Sequence, residues 1–224
     1  MSNLAREPLA IIGAGGFGRE VRMLVEQSNC LDPKWDLKGF FDDGIPAGTV
    51  VDGLPVLGNS GSLNSWGARL GVVLAIGNPG SKRAILERLV SPSLWYPTLV
   101  HPSVISSGSA YVRLGPGTIV CAGVILTVNV TIGAHVILNL ACTVGHDVYI
   151  EDYCSLMPSV NVSGEVRIGQ GVFVGTGAKI INKISIGATS TIGAGAVVVR
   201  DVEPGVTAVG VPAKPLRVVP QFPA

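Results

Sequence analysis

A six-residue period in the second half of the chain is the feature that most constrains its fold. Every sixth residue from Leu114 to Val198 is Leu, Ile or Val, through fifteen positions without a break. A second column, four residues after the first, holds small or β-branched side chains such as Thr118, Val124 and Cys142. Self-similarity at a fixed period is the signature of a repeat architecture. The sequence therefore predicts stacked short strands, each stabilised by its neighbours.

The period also predicts the shape of the stack. One hexapeptide makes a short strand and a corner, and three hexapeptides make one triangular coil, so the run from Pro102 to Val202 predicts five to six coils. Glycine often follows the first apolar column, and we expect it to give the corner backbone unusual φ and ψ angles. These glycines are Gly115, Gly133, Gly145, Gly169, Gly175, Gly187 and Gly193.

The first half of the chain begins with a different signal. Residues 9–12 form a buried-strand pattern, residues 13–18 contain the spacing G-x-G-x-x-G, and a helical pattern follows over 19–27. Glycines between a strand and a helix allow the backbone to approach a pyrophosphate at the helix N-terminus. We predict nucleotide binding there by Gly13, Gly15, Gly16, Phe17 and Gly18, and the alternative of a purely structural tight turn stays open.

Two further strands extend this region into a small β-α-β domain. The strand over 37–41 ends at Asp42 and Asp43, and the strand over 71–76 ends at Gly77 and Asn78 before a helix over 81–89. Ligands of open α/β sheets sit at the carboxyl ends of strands. All four residues are therefore candidate nucleotide contacts, although Asp42 and Asp43 also fit a solvated turn.

These signals predict two domains, an α/β Rossmann-like half-domain over residues 1–97 and an all-β hexapeptide-repeat domain with its tail over residues 98–224. The first domain is long enough for only half of a doubly wound sheet, too little to hold both halves of a dinucleotide. It therefore favours a mononucleotide or a nucleotide-sugar over the NAD of a dehydrogenase.

Composition excludes several classes of protein. The 16 basic and 15 acidic residues nearly cancel without blocks of like charge, which argues against nucleic acid or an anionic membrane surface as a partner. No uninterrupted apolar run is long enough to span a membrane, and we expect no secretion signal. The four cysteines form no C-x-x-C pair, so we predict reduced cysteines and a cytoplasmic location.

The three histidines differ in their sequence context. His101 precedes a proline at the predicted domain junction, where we expect a structural role, and His135 falls at an outward position that predicts a solvated side chain. His146 follows an inward residue by two positions and has Asp147 beside it. Imidazole, with a pKa of about 6.5, can take a proton at neutral pH. An ordinary exposed histidine remains the alternative at His146.

The chain resembles the sugar acyltransferases of the sialic acid O-acetyltransferase type. The residues that carry the resemblance are Gly13–Gly18, Gly39–Asp43, Asn139, Gly145–Asp147 and Gly210–Lys214. The better-studied members of this family are the N-acetyltransferases of nucleotide-linked amino-sugars on the bacillosamine and perosamine routes, which the chain also resembles. The left-handed sense of the parallel β-helix is implied by this resemblance, because the period alone does not set the hand.

The resemblance implies a set of roles. His146 would act as general base on the sugar amine, acetyl-CoA would be the co-substrate, and a homotrimer would place coenzyme A between two subunits. Asp147 would then hold the imidazole in one tautomer. Asn139 would bind the acceptor or support its loop, and no metal is expected.

One full coil comprises three hexapeptides, so Gly164 falls directly above His146. This position makes Gly164 a further candidate catalytic residue. Its backbone N–H could bind the thioester oxyanion. One departure from the family is Ser155, which stands where relatives often carry a second histidine associated with coenzyme A. Ser155 is therefore a candidate contact to acetyl-CoA, and the donor site is expected to differ there in detail. Lys214 and Arg217 could meet the phosphates of coenzyme A or only water.

Three other functions remain open. O-acetylation of a sugar hydroxyl, as on sialic acid, would use the same histidine. A γ-type carbonic anhydrase would need three histidines around zinc, which His101, His135 and His146 are poorly spaced to provide. A nucleotide-binding scaffold without catalysis is the third. The leading hypothesis is N-acetylation by direct attack of the amine, since no serine or cysteine has an obvious partner base.

Overall fold

The computed structural model describes residues 6–216 and contains an α/β region followed by a parallel β-helix. The α/β region runs through β1 (Glu7–Ile12), α1 (Gly16–Leu31), β2 (Trp35–Phe41), β3 (Val50–Val51), β4 (Leu54–Gly58), a 3₁₀ helix (Ser60–Ser65), β5 (Leu70–Leu74), α2 (Pro79–Arg88) and β6 (Leu94–Trp95). The predicted strands and helices are all present, while β3, β4, β6 and the 3₁₀ helix were not predicted.

The strands of the α/β region form one sheet in the order β3-β4-β2-β1-β5-β6. Neighbouring strands are parallel except for the pair β3 and β4. The chain moves outward from β1 to β2 and later returns to the other side of β1 as β5. The crevice between β1 and β5 is therefore a topological switch point, where ligands of open α/β sheets bind.

The second region is a left-handed triangular prism with three parallel sheets. Face I contains β7 (Leu99–Val100), β10 (Ile119–Val120), β13 (Ile137–Leu138), β16 (Ser155–Leu156), β19 (Phe173–Val174), β22 (Thr191–Ile192), β24 (Thr207–Val209) and the antiparallel β25 (Lys214–Pro215). Face II contains β8 (Ile105–Ser106), β11 (Ile125–Leu126), β14 (Thr143–Val144), β17 (Asn161–Val162), β20 (Lys179–Ile180) and β23 (Val197–Val198). Face III contains β9 (Val112–Leu114), β12 (Val130–Ile132), β15 (Tyr149–Ile150), β18 (Arg167–Ile168) and β21 (Ser185–Ile186).

The two sequence columns form the interior of the prism, as predicted. Each strand pairs with the strand one coil further along the chain, for example Val144 with Val162 and Ile150 with Ile168. Cys142 and Cys154 are fully buried in this core, and neither forms a disulfide. Burial raises the pKa of the Cys142 thiol to about 11 and that of Cys154 to about 12, so both act as small apolar core residues.

The predicted reason for the corner glycines is wrong. The left-handed φ angles fall two residues later in each corner, at residues such as His135 (φ 54°), Asp147 (φ 58°) and Tyr153 (φ 63°). Gly145 is required instead by close approach, because an added Cβ would lie 2.7 Å from the backbone N of Gly164 in the next coil. The glycine column therefore lets consecutive coils stack.

The α/β region is docked on face I. Leu99, Ile119, Cys121 and Ile137 on the outside of this face share one apolar cluster with β1, β2 and α1. His101 adds a polar link, since its Nε2 lies 2.7 Å from Oε1 of Gln27 on α1 and its Nδ1 lies 2.7 Å from the Ser103 hydroxyl. Docking on face I leaves the opposite corner of the prism, between faces II and III, exposed.

Neither α1 nor α2, the helices of residues 6–216, combines the length and apolar character that a membrane span requires.

Candidate active site

His146 and Asp147 lie at the corner between faces II and III. Nδ1 of His146 lies 2.9 Å from Oδ2 of Asp147, and both side chains are about half exposed, at 56% and 50%. Asn129, one coil below, donates from Nδ2 to the other carboxylate oxygen at 3.0 Å. The hydrogen bonds from His146 and Asn129 lower the pKa of Asp147, so this carboxylate is ionised at neutral pH. The pairing leaves Nε2 of the imidazole for another partner.

Gly164 lies against the imidazole, at the position predicted from stacking by one coil. An added Cβ on Gly164 would lie 2.5 Å from Cε1 of His146 and would overlap Nε2, so only glycine fits under the ring in this position. The coils are held in register here by Glu165, whose N–H donates to the carbonyl of His146 at 2.8 Å. Within residues 6–216 the N–H of Gly164 itself donates to no acceptor, and the residue is buried beneath the imidazole.

The glycine loop after β1 lies at the switch point of the sheet, as its spacing predicts. Gly13 has a φ of 97°, and Gly18 packs so closely that an added Cβ would lie 2.8 Å from the carbonyl carbon of Gly13. Gly15 and Gly16 are exposed and face open space, with no atom within 4 Å of an added Cβ. Phe17 packs into the core instead. The loop thus has two glycines that serve the fold and two that leave room at the N-terminus of α1.

Asp42 and Asp43 are held in place by the protein itself. Asp42 accepts the N–H of Ala14 at 2.8 Å and the N–H groups of Gly44 and Ile45, which links the ends of β1 and β2. Asp43 accepts from the backbone and hydroxyl of Ser60 and from Arg88, and these bonds lower its pKa. Asp42 therefore shapes the glycine loop, and Asp43 is committed to its pairing with Ser60 and Arg88.

The turn between β5 and α2 borders a cleft against the prism. Asn78 is the N-cap of α2, with its side chain accepting the N–H of Ser81 at 2.9 Å, and an added Cβ at Gly77 would meet nothing within 4 Å. The cleft has a volume of about 700 Å³. Its lining comprises Gly77, Asn78, Pro79, Gly80 and Arg83 from the α/β region and Tyr153, Gln170, Gly171, Phe173, Thr189 and Thr191 from the prism.

Of these lining residues, only Gly77 and Asn78 were predicted from the sequence. A usable signal was present, because Tyr153, Gly171 and Thr189 follow one another at intervals of one coil and therefore stack along one corner. They lie between face III and face I, beside the docked domain. Which corner a second domain covers is set by long-range packing, and the repeat does not encode it.

The prediction of a solvated side chain at His135 is wrong. This histidine lies at this same corner between faces III and I, but it is only 7% exposed, between Tyr96 and Tyr153. Burial, together with the nearby Lys82, lowers the pKa of His135 to about 4. The docked domain covers this outward position, so the predicted solvated side chain is in fact a neutral core histidine.

The predicted contacts to coenzyme A have different outcomes. Ser155 is fully buried on face I and accepts a hydrogen bond from Nζ of Lys82 at 3.2 Å, so its burial does not fit the predicted contact. Lys214 is exposed on β25, at the end of the prism, and Arg217 lies outside the described residues. Asn139 lies at the corner between faces I and II, where its side chain accepts the N–H of Leu140 at 2.7 Å.

The described histidines do not form a metal centre. His146 and His135 lie at different corners of the prism, and within residues 6–216 no three histidine, cysteine or acidic side chains are grouped as metal ligands. The exposed corner holds an imidazole paired with a carboxylate, next to a glycine whose N–H has no acceptor within residues 6–216. Such a site suits transfer of an acyl group to a nucleophile that must lose a proton.

Comparison with known proteins finds similarity to sugar N-acetyltransferases. The family model described as the PglD N-terminal domain matches residues 8–89. The GDP-perosamine N-acetyltransferase of Escherichia coli O157:H7 is 29% identical over 170 residues, which cover 76% of each chain.

Solved structures resemble the chain over nearly its whole length. A histidine mutant of perosamine N-acetyltransferase from Caulobacter crescentus, in complex with CoA and GDP-perosamine, is 31% identical with a TM-score of 0.85, covering 96% of this chain and 99% of that one. The acetyltransferase domain of PglB from Neisseria gonorrhoeae, in complex with acetyl coenzyme A, is 34% identical with a TM-score of 0.84, covering 95% and 100%.

Proposed function

The chain belongs to the family of hexapeptide-repeat sugar N-acetyltransferases, and we propose that it transfers the acetyl group of acetyl-CoA to the amino group of a nucleotide-linked amino-sugar. The relatives that bind CoA and GDP-perosamine support this acceptor class. The base of the nucleotide and the position of the amine on the sugar are left open by the proposal.

His146 is the proposed general base. The amine nitrogen attacks the thioester carbonyl carbon while Nε2 of His146 takes a proton from the nitrogen, and the C–S bond then breaks. The thiolate of coenzyme A leaves and recovers that proton from the imidazolium. Asp147, 2.9 Å from Nδ1, supports this role by orienting the ring and stabilising its charged form.

Gly164 is the proposed oxyanion donor. The carbonyl oxygen of the thioester gains negative charge in the tetrahedral intermediate, and a fixed N–H aimed at that oxygen stabilises it. Two observations support the assignment, namely the imidazole lying over Gly164 and the absence of an acceptor for its N–H within residues 6–216.

The acceptor is proposed to bind at the switch point of the α/β sheet. Its diphosphate would lie near the open Gly15 and Gly16 at the N-terminus of α1, which favours anions, and near Gly77 and Asn78. Asp42 would contribute by fixing the loop through its bond to Ala14, rather than by touching the nucleotide.

The active site is proposed to lie between two subunits of a homotrimer. Within one chain the α/β region covers face I, whereas His146 lies at the corner opposite that face. An acceptor on the α/β region of one subunit would therefore meet His146 of a neighbouring copy. Closed cyclic symmetry makes all such sites equivalent.

The donor is proposed to extend along the prism from His146 toward the exposed Lys214. Three strand spacings separate β14 from β23 on face II, which amounts to about 14 Å. That span suits the extended pantetheine arm, and Lys214 would then approach the phosphates. Asn139 is retained as a candidate support of the acceptor-binding loop.

The observation that carries the proposal is the His146–Asp147 pair set over Gly164 in a chain of this family. The test is release of coenzyme A thiol from acetyl-CoA with GDP-, UDP- and dTDP-linked amino-sugars, with mass spectrometry of the product. We expect one acceptor to gain a single acetyl group on nitrogen. Acetylation of a hydroxyl, or no thiol release with any acceptor, would contradict the proposal.

A further inference from the structure

Lys82 is a buried lysine that the proposed chemistry does not use. It lies on α2, is only 1% exposed, and reaches across to the prism, where Nζ donates to the carbonyl of Cys154 at 3.3 Å and to the hydroxyl of Ser155 at 3.2 Å. The residue therefore connects the helix that follows the Gly77–Asn78 turn to face I. Ser155 provides one end of this connection.

Lys82 lies next to residues that line the cleft between α2 and the prism. Its neighbours Arg83 and Gly80 on α2 line the cleft, as does Tyr153, which immediately precedes the two residues that Nζ contacts. Phe173 lines it too and pairs with Ser155 on face I. The lining contains a cation, Arg83, whose Nε also donates to Oε1 of Glu87 at 2.8 Å, and no carboxylate. A cavity whose wall carries a cation and no carboxylate, with an amine nearby that can take up a proton, favours an anionic ligand.

The ammonium group of Lys82 has no counter-charge in the described chain. Both atoms that it contacts are neutral oxygens, and burial lowers the pKa of Lys82 to about 7. A buried charge is costly unless it is paired, so an anion entering the cleft would stabilise the protonated form. The unpaired amine is thus matched to a ligand that brings negative charge.

The two titratable groups that face Lys82, Cys154 and His135, do not change charge near neutral pH. Cys154 faces it from the prism, and burial raises its pKa to about 12; His135 faces it from the neighbouring corner, with a pKa of about 4. Glu151 and Asp152 lie beyond these two residues, and Arg83 lies beside Lys82 on α2. Proton uptake by this cluster between pH 7 and 9 would therefore come from Lys82.

We propose that the cleft takes the diphosphate end of the acceptor and that Lys82 is its positioning residue, which holds α2 against the prism and becomes protonated as the diphosphate binds. This inference rests on the proposed function, because it takes the acceptor to be a nucleotide-linked sugar. Acceptor binding and protonation of Lys82 favour each other reciprocally, so the acceptor affinity decreases as the pH rises above the pKa of Lys82 in the free protein.

Calorimetry of nucleotide-sugar binding in two buffers of different ionisation enthalpy tests this directly. The probes are UDP-glucose, GDP-mannose and dTDP-glucose at pH 8, since their diphosphate diesters do not titrate there. Lys82 is mostly neutral in the free protein at this pH, so we expect the uptake of more than half a proton per bound ligand. No proton uptake by the unmodified protein would overturn the proposal.

Three variants separate the charge of Lys82 from its packing. Lys82→Met is expected to lose the proton uptake and at least tenfold in affinity, with acceptor KM raised by the same factor and kcat within twofold. Lys82→Arg keeps a permanent charge, so it should restore much of the affinity without proton uptake. Lys34→Met, a change at an exposed lysine before β2, is the matched control and should behave as the unmodified protein.

The outcomes distinguish this inference from the proposed function. If Lys82→Met is folded by circular dichroism and binds with unchanged affinity and proton uptake, the role of Lys82 is wrong while N-acetylation stands. If the unmodified protein binds none of the three nucleotide-sugars and acetylates no amino-sugar, both proposals fail. Should Lys82→Met not fold, Lys82→Arg binding with the same proton uptake as the unmodified protein would overturn the inference alone.

Discussion

Two histidines of the prism, His146 and His135, occupy similar corners and have opposite environments. Each ring lies over a glycine one coil away, Gly164 for His146 and Gly117 for His135. His146 is exposed and paired with Asp147, whereas His135 is buried between two tyrosines with a pKa of about 4. The two environments differ because the α/β region covers the corner of His135 and leaves the corner of His146 exposed. The same scaffold thus provides a reactive base at one edge and a neutral core residue at another.

Removing the exposed histidine gives the largest expected effect. His146→Ala should lower kcat by about 10²–10⁴-fold, the usual contribution of a general base, with little change in the melting temperature. The measurement is steady-state thiol release with the identified acceptor. His135→Ala is the matched control on the covered corner, and it should keep kcat within a few-fold in the fraction that remains folded. Equal losses of kcat in both variants would contradict the proposal that only the exposed corner carries a catalytic histidine.

Filling the space under the exposed ring is the next test. The Cβ of Gly164→Ala would overlap the imidazole, so the ring must move, and displacement of a catalytic group by about 1 Å can cost 10²-fold in rate. Kinetics should show a fall in kcat with acceptor affinity unchanged. Ser163→Ala, at the neighbouring exposed position, is the control. A fully active Gly164→Ala would mean that the ring is not used where it lies.

Variants of the glycine loop in the α/β region distinguish the glycines that serve the fold from those that leave room for the nucleotide. Gly18→Ala would overlap the carbonyl of Gly13, and overpacking of this kind costs about 1–3 kcal/mol of unfolding free energy. Gly16→Ala meets nothing within 4 Å, so the protein should remain as stable but bind the nucleotide more weakly. Chemical denaturation and nucleotide titration measure the two effects. Equal stability of both variants would contradict the close packing at Gly18.

The covered histidine predicts a pH dependence of stability. Its pKa is lowered from 6.5 to about 4, so between these values the unfolded chain binds more protons and stability is lost as the pH falls. At pH 5 the loss relative to pH 7 should be about 2 kcal/mol from this residue. His135→Phe should flatten this part of the curve in denaturation experiments at pH 5 and pH 7. An unchanged slope would show that His135 is not buried.

At the exposed corner, substitution of Asp147 is expected to give the smallest change in kcat. Asp147→Asn keeps the shape of the side chain but removes the charge that stabilises the imidazolium. The loss of this charge-assisted hydrogen bond at a half-exposed site should lower kcat about tenfold. Asn129→Ala, which removes only the bond supporting Asp147, should have a weaker effect in the same assay. A larger loss for Asn129→Ala than for Asp147→Asn would contradict this order of roles.

Periodicity explains which parts of the molecule could be predicted from its sequence. The two columns define the interior of the prism, and the coil of three hexapeptides places Gly164 against His146, because both follow from local strand and corner geometry. The burial of His135 and Ser155 could not be predicted in this way. It depends on which face the α/β region covers, and that is decided by long-range packing of residues such as Ile119 and Ile137. The burial of Lys82 without a counter-charge among residues 6–216 is a consequence of the same packing.

The central claim is that the nucleotide loop of one chain and His146 of another form each active site. Subunit complementation tests it most directly, by assembling mixed oligomers from His146→Ala chains and chains whose loop is blocked by Gly16→Arg, each inactive alone. Sites shared between subunits predict that an equal mixture recovers about a quarter of the unmodified activity, because half of the chains offer each intact part. A mixture that remains as inactive as either variant alone would show that loop and histidine must belong to the same chain.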